Sequence, residues 1–302
     1  MVLHRRRLPA RAGGAVPVTG RPPRGRSLPS FSILTPSLDQ LRYLRVCVAS
    51  VAAQGYPEVE QIVADGGSRD GTAAFLATSP GCVRCYRSAP DRGQSDALNW
   101  AVAQAQGEWL GWQNADDFYF PGALFRAARA IVAHPEVRVV VGDVALVDED
   151  GVTLGTVGVA PVPARRWLEG FWPYNQGVFV HRSVLAAAGP LDVGLHLHMD
   201  TDLLARIAAL KPAVAYIDAT LGGFRKHGAG KTATGAEDPA SRAERALLEG
   251  RYGRPLWPHG PMAWWRHRIR SHWARVRRFG VGAVLRRAGD RAARGVLVRV
   301  VR

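Results

Sequence analysis

Cysteine is scarce in this chain. Of its 302 residues only Cys47, Cys82 and Cys85 are thiols, an odd and sparse set that argues against a secreted disulfide scaffold and for a reducing compartment. Cys82 and Cys85 form a C-x-x-C, but no second pair or nearby histidine completes a zinc site, so both read as incidental thiols on a strand. Long apolar runs are missing too. Without a stretch of about eighteen apolar residues a membrane-spanning helix is not expected. The Arg-rich N-terminus is broken by Pro and Gly and lacks the apolar core of a secretory signal. These absences predict a cytoplasmic protein. No glycine-rich phosphate loop follows the first apolar strand, which argues against a nucleotidyltransferase of the phosphate-loop kind. Lysine is limited to Lys211, Lys226 and Lys231, leaving arginine to carry the positive charge.

That charge, +15 in total, is unevenly placed. Residues 1–30 hold seven Arg and no acid, and residues 251–302 hold fourteen Arg against Asp290 alone, so the centre is net acidic. A nucleic-acid binder usually carries its basic patch on the folded domain, which makes nucleic acid an unlikely partner. The apolar content of 47 % is enough for one substantial core. The expected organisation is a basic disordered arm over residues 1–30, a catalytic domain over 31–232 and a basic helical region over 233–302.

Apolar periodicity alternates between strand and helix. Phe31 to Thr35 reads as a strand ended by Pro36. Ser37-x-x-Gln40 then reads as a capping box ahead of Leu41, Leu44, Val48 and Val51. Strands are expected near Val59–Ala64, Val83–Tyr86 and Glu108–Trp112, with helices over Thr72–Ala77 and Ser95–Ala105. The βαβαβαβ pattern predicts an α/β, Rossmann-like domain with a mostly parallel central sheet and helices on both faces. Beyond Phe120 a helix from Pro121 to Ala133, a β-rich stretch Val137–Val157, helices around Ser183–Ala188 and Asp200–Leu210, and a last strand Ala213–Ile217 are expected.

Ligands bind outside the carboxyl ends of strands in such sheets, and three polar clusters fall there. They are Thr35-Pro36, Asp65-Gly66-Gly67-Ser68 and Asn114-Ala115-Asp116-Asp117. Asp65 suits a hydrogen bond from a base or ribose hydroxyl, or alternatively an Asx turn or helix cap. Adjacent carboxylates at Asp116 and Asp117 suit a hard divalent cation, Mn²⁺ or Mg²⁺, shared with phosphate oxygens; the alternative is an acidic helix start. Asp200 and Asp202 open an apolar helix. Asp202 fits a first-turn acid, and Asp200 is the better candidate for a general base. His227, beside Arg225 and Lys231, is placed to help hold metal or diphosphate.

Taken in order, FSILTPS, EQIVADGGSRDGT, DRGQSDALNWAVAQAQGEWLGWQNADDFYFPGAL, GDVALVDEDG, NQGVFVHRSVLAAAGPLD, MDTDLLARI and FRKHGAGKT resemble the family 2 glycosyltransferases, inverting enzymes of GT-A fold. The resemblance covers about two-thirds of the chain. It implies that Thr35, Pro36, Asp65 and Asp96 line the nucleotide pocket with Arg92 near the diphosphate, and that Asp116 and Asp117 act in the metal-binding DxD role. Asn114 stands at the first position of that motif. It further implies Asp200 as catalytic base, with Met199 where Glu is common, and His227 completing the metal or diphosphate site. The implied partners are a nucleotide-diphospho-sugar donor and a glycan or lipid-linked acceptor in cell-surface polysaccharide or glycolipid synthesis. A non-catalytic scaffold using its basic tails is the alternative, against which the set Asp65, Asp116, Asp117 and Asp200 speaks.

Near the C-terminus Met262, Trp265, Ile269, Trp273 and Val276 recur at spacings of three and four among Arg266, Arg268, Arg270, Arg275 and Arg277, predicting an amphipathic cationic helix. Trp with Arg suits an anionic membrane surface on the cytoplasmic face; packing of the Trp face on the catalytic domain is the competing reading.

Overall fold

The computed structural model of the protein describes residues 27–78, 80–228, 230–231, 238–257, 260–279 and 298–301. The first half alternates as expected: β1 (Phe31–Ser37), α1 (Leu41–Ala52), β2 (Val59–Asp65), α2 (Thr72–Ala77), β3 (Val83–Ser88), α3 (Gln94–Gln104) and β4 (Trp109–Trp112). Then come β5 (Phe118–Tyr119), α4 (Ala123–Ala133), β6 (Val139–Val147), β7 (Thr153–Val157), two short 3-10 turns (Ala164–Glu169 and Asn175–Gly177), β8 (Val178–His181), α5 (Arg182–Ala188), α6 (Met199–Ala209) and β9 (Val214–Arg225). Two further helices, α7 (Pro239–Tyr252) and α8 (Gly260–Phe279), precede β10 (Val298–Val301).

One sheet runs in the order β10-β9-β6-β8-β4-β1-β2-β3, with β5 on β9 and β7 on β6. Pairings β1–β2, β2–β3, β1–β4 and β6–β9 are parallel, while β8 lies antiparallel to both β4 and β6. The strands β1, β2, β3, β4, β6 and β9 therefore point one way, while β5, β7, β8 and the edge strand β10 run against them. Side chains alternate between faces, as period two requires. Leu34, Ile62 and Leu110 join Ala97, Leu98 and Ala101 of α3 and Leu203, Leu204 and Ile207 of α6 in one buried cluster. On the opposite face Ile33 and Val140 meet Leu124 and Ala127 of α4, and Val63 meets Leu44, Val48 and Leu76.

Several expectations are corrected. The capping box does not form: Ser37 is the last residue of β1, and Gln40 precedes α1 without a side-chain cap. The first helical amide, Leu41 N–H, donates instead to Asp70 Oδ2 at 2.7 Å. Asp39 adopts φ +50°, braced by Ser68 Oγ, which accepts its N–H at 2.7 Å, and by its own Oδ1, which accepts Arg69 N–H at 2.8 Å. A long-range contact thus takes over from a local one.

Most of the expected N-terminal arm lies outside the described residues, but its end is not free. Leu28 packs on the core, Pro29 O accepts Tyr56 Oη–H at 2.7 Å and Ser30 Oγ accepts Glu108 N–H at 3.0 Å. The region past 232 is not purely helical, since β10 returns to pair with β9, and α7 buries Leu248 in the same cluster as the sheet.

The strand expected to stop at Ile217 continues to Arg225. Thr-Leu-Gly-Gly (220–223) breaks the apolar pattern and imitates a turn, yet the glycines serve close packing. An added Cβ at Gly222 would collide with the Gln176 carbonyl oxygen, and one at Gly223 would lie 2.7 Å from Phe118 Cζ. Gly222→Ala is expected to lower stability by about 1–3 kcal/mol or more through overpacking against backbone, read as a fall in the urea unfolding midpoint.

Candidate active site

The carboxyl ends of β1 and β2 finish level, since Ser37 pairs with Asp65, whereas β4 ends at Trp112 opposite Leu34, three residues short of the end of β1. The loop after β4 continues along β1, with Gln113 N–H donating to Leu34 O at 3.0 Å and Ala115 N–H to Pro36 O at 3.2 Å. The three polar clusters therefore meet at one sheet edge.

Asp65 is fully buried and spends its oxygens on the loops around it. Oδ2 accepts Ser68 N–H at 3.1 Å and Ser88 Oγ–H at 2.6 Å, while Oδ1 accepts Ser68 Oγ–H. This is the Asx turn left open by the sequence, extended by Ser88 so that it ties the end of β2 to the end of β3. Thr35 is buried below the edge, its Oγ1 accepting Gln61 Nε2–H at 2.9 Å, and Pro36 is buried in β1.

α3 begins at this edge. Arg92 donates to Asp96 Oδ1 at 2.9 Å, and that bond is the main cause holding the Asp96 carboxyl below its usual range. Gln94 Nε2 donates to Asn114 Oδ1 at 2.8 Å, and Trp112 Nε1 donates to the same oxygen at 2.7 Å. The amide at Asn114 is thus an acceptor for its neighbours on one side and a donor, through Nδ2, to Asp117 Oδ2 at 3.0 Å on the other. Asp91 accepts Gly93 N–H at 2.8 Å and lies so close to Gly66 that a Cβ there would come within 3.2 Å of its Oδ2. Asp91 and Gln94 were not singled out from the sequence, although both stand in the DRGQSDA segment.

The adjacent acids separate in role. Asp117 is 1 % exposed, and both its oxygens are taken: Oδ1 accepts Arg225 N–H at 2.9 Å, and Oδ2 accepts Gln176 Nε2–H at 2.7 Å in addition to Asn114. Burial, with the Asp116 charge next, pushes its carboxyl above the usual range against the pull of those three donors. Asp117 is thus turned into the protein, with both oxygens engaged by those donors. Asp116 remains at the edge. Its Oδ2 meets His227 Nε2 at 2.9 Å and Gln40 Nε2 at 3.3 Å, and among the described residues no hydrogen bond falls on Oδ1. His227 is itself buried, packed on Tyr43 with ring centroids 4.7 Å apart. Arg225 locks the arrangement, donating from Nε to Asp116 O at 2.8 Å and lying 4.9 Å over the Tyr43 ring. Gln40, Tyr43 and Gln176 carry no sequence signal of their own.

Among the described residues no group of three His, Cys, Asp or Glu side chains stands ready to hold a metal. One carboxylate with a free oxygen, beside one imidazole, nevertheless fits a hard divalent cation whose remaining ligands come from phosphate and water. Lys231 is a second cationic element. Its Nζ donates to His196 O at 3.5 Å, in the field of Asp91, Glu244 and Asp116.

Asp200 stands in the first turn of α6 and shares one largely apolar recess with Trp112 at the end of β4 and with Asn175. Its Oδ1 accepts Thr201 N–H at 2.7 Å. Loss of water around it raises the carboxyl pKa, with Thr201 N–H and then His198 pulling the other way. Asp202, the first-turn acid, is buried and paired with Arg206 at 2.9 Å and Arg251 at 2.8 Å.

The model of the family described as "Glycosyl transferase family 2" matches residues 32–169. An uncharacterized glycosyltransferase of Mycobacterium tuberculosis is 32 % identical over 187 residues, 60 % of this chain and 70 % of the relative. A PGL/p-HBAD biosynthesis glycosyltransferase of Mycobacterium bovis is 30 % identical, covering 58 % of this chain and 68 % of that protein. Among solved structures, S. aureus TarS 1-349 in complex with UDP-GlcNAc superposes with TM-score 0.56 at 20 % identity, over 68 % of this chain and 61 % of that one. At that identity the likeness is one of fold.

Asp117→Ala is expected to cost about 3 kcal/mol or more, because three buried donors lose their acceptor. Asp116→Ala is expected to cost about 1 kcal/mol, the net value of an ordinary hydrogen bond. Paired urea titrations measure the difference, and equal losses would refute the division of roles.

Proposed function

From the premise that the chain belongs to glycosyl transferase family 2 and carries the GT-A fold, we propose that it transfers a sugar from a nucleotide-diphosphate donor to an acceptor hydroxyl with inversion. The observation that carries this reading is the Asp116–His227 pair at the sheet edge, linked through Asn114 to Trp112, which lines the recess that holds Asp200. Thr35, Pro36 and Asp65 form the floor of the nucleotide pocket, with Asn114 at its rim. Arg92 and Asp96, at the positive end of α3, face the diphosphate, where backbone amides and dipole favour an anion.

In the proposed step Asp200 takes the proton of the acceptor hydroxyl as its oxygen attacks the anomeric carbon. The bond to the diphosphate breaks on the opposite face, so configuration inverts. A base whose pKa is raised by burial holds the proton more firmly than an ordinary carboxylate. Asp116 and His227 would hold Mn²⁺ or Mg²⁺, a cation that neutralises charge gathering on the departing diphosphate. Asp117 serves by fixing Asp116 in place. The PGL/p-HBAD relatives support an acceptor in cell-surface glycolipid or polysaccharide synthesis, glycan or lipid-linked.

Attachment to the cytoplasmic face of a membrane is part of the same reading. No helix among the described residues is long and apolar enough to cross a bilayer. In α8, Arg270 bonds Glu169 at 2.6 Å and Ala274 packs on the core, while Met262, Trp265, Ile269 and Trp273 are all more than half exposed. The outward Trp stripe favours the lipid surface over the alternative of a Trp face packed on the domain.

Incubation with UDP-, GDP- and dTDP-sugars and Mn²⁺ or Mg²⁺ tests the reaction. Nucleotide release from one donor, abolished by EDTA and by Asp116→Ala, is expected; Asp200→Asn should abolish transfer yet retain nucleotide binding. Activity requires ionised Asp200, so the acid limb of kcat/KM should lie above the ordinary carboxylate range, with rate lost as pH falls through it. No release from any donor, with no nucleotide binding by calorimetry, would sink the proposal. Co-sedimentation with phosphatidylglycerol vesicles, weakened by Trp265→Ser with Trp273→Ser and by raised salt, is expected for the membrane face; equal sedimentation of the variant would overturn it.

A further inference from the structure

The mechanism leaves α7 without a role, although it grips the segment from which Asp200 is presented. Glu244 on α7 accepts three successive backbone amides of that segment: Oε1 accepts His196 N–H at 2.7 Å, and Oε2 accepts Leu197 N–H at 2.9 Å and His198 N–H at 2.9 Å. A carboxylate is the group best suited to this task, since both oxygens are acceptors and neither carries a competing donor. The three donated bonds hold the Glu244 carboxyl below its usual range against the effect of burial. Ser241, one turn earlier, lies 2.9 Å from His198 Nε2, and the His198 ring packs on Trp257 at 5.1 Å.

The grip continues on the far side of Asp200. Arg251 at the other end of α7 bonds Asp202 Oδ1 and Asp192 Oδ2, each at 2.8 Å, and Tyr252 Oη donates to Asp202 Oδ1 at 2.9 Å. Asp200 therefore stands between two anchored points, His198 before it and Asp202 after it. The segment also borders the donor edge. His196 Nδ1 would lie 3.5 Å from a Cβ at Gly93, and Lys231 Nζ donates to His196 O at 3.5 Å.

We propose that Glu244 is a positioning residue for sugar transfer, fixing the His196–His198 backbone so that Asp200 meets the acceptor hydroxyl at reacting distance. The inference rests on the assignment of Asp200 as base. It places a determinant of turnover on α7, beyond the residues 32–169 that the family model matches. The segment keeps other supports, as Ser95 Oγ donates to Leu195 O at 3.1 Å and Asn99 pairs with the Leu191 backbone through both its amide groups. Loss of Glu244 should thus loosen presentation of Asp200 without unfolding the domain.

The test compares the full-length wild type with Glu244→Gln, which keeps the volume but turns an amide donor toward backbone N–H groups. Glu249→Gln serves as a control: it lies on the same helix, and its Oε1 accepts Leu256 N–H at 3.0 Å, away from Asp200. Hydrogen exchange of peptides covering residues 192–199 is read together with kcat and donor KM. Faster exchange in Glu244→Gln is expected, with kcat down on the order of 10–100-fold, as misplacement of a reacting group costs, and KM within about threefold. The control should match the wild type in both readouts. Unchanged exchange, or faster exchange with unchanged kcat, would overturn the inference, as would an equal loss of kcat in the control. A wild type inactive on every donor would instead refute the proposed reaction, and exchange alone would then decide whether Glu244 clamps the segment.

Discussion

A carboxylate removed from water must be given donors or a proton, and Asp117 sits at the point where that demand organises the rest of the site. Its three donors come from the loop after β4, from the 3-10 turn at Asn175–Gly177 and from the backbone at the end of β9. Each of these segments is remote from the others in sequence. Leaving any donor unpaired would cost on the order of 1–3 kcal/mol, so the three are held at mutually fixed distances. The Gly222 approach to Gln176 and the reach of Arg225 to the Asp116 carbonyl follow from the same meeting of segments.

Because Asp117 meets the structural demand, Asp116 is released from it. One acid faces inward with both oxygens engaged, while its neighbour has one oxygen with no hydrogen bond among the described residues, beside His227. The arrangement gives two adjacent carboxylates different tasks through environment alone. Asp200 is tuned separately, in a drier recess, with its turn held by α3 on one side and α7 on the other. The Asp116 edge and the Asp200 recess are thus supported by different parts of the chain, joined where Trp112 lines the Asp200 recess and bonds Asn114.

How far the sequence could be read depended on whether a feature was local. The strands and helices through β4 followed from apolar periodicity, with Thr72–Ala77 matching in full, and the polar ends of β1, β2 and β4 pointed to one edge. The resemblance to family 2 glycosyltransferases rested on ordered motifs and agrees with the relatives found. β8 was passed over as a strand, being four residues inside a run of mixed pattern. The capping box at Ser37 failed because Asp70, 29 residues from Leu41 in the chain but adjacent in space, offered the Leu41 amide a better acceptor.

The sequence by itself determined the α/β alternation and which polar clusters stand at the carboxyl ends of the strands, because these depend on residue type and on periods of two and 3.6. It could not divide Asp116 from Asp117, since both are the same side chain one position apart. Only the tertiary structure decided that division, through burial and three long-range donors. Only the tertiary structure, likewise, brought Glu244 to the backbone before Asp200 and turned the α8 Trp stripe outward, for these outcomes depend on which surfaces meet when the chain closes.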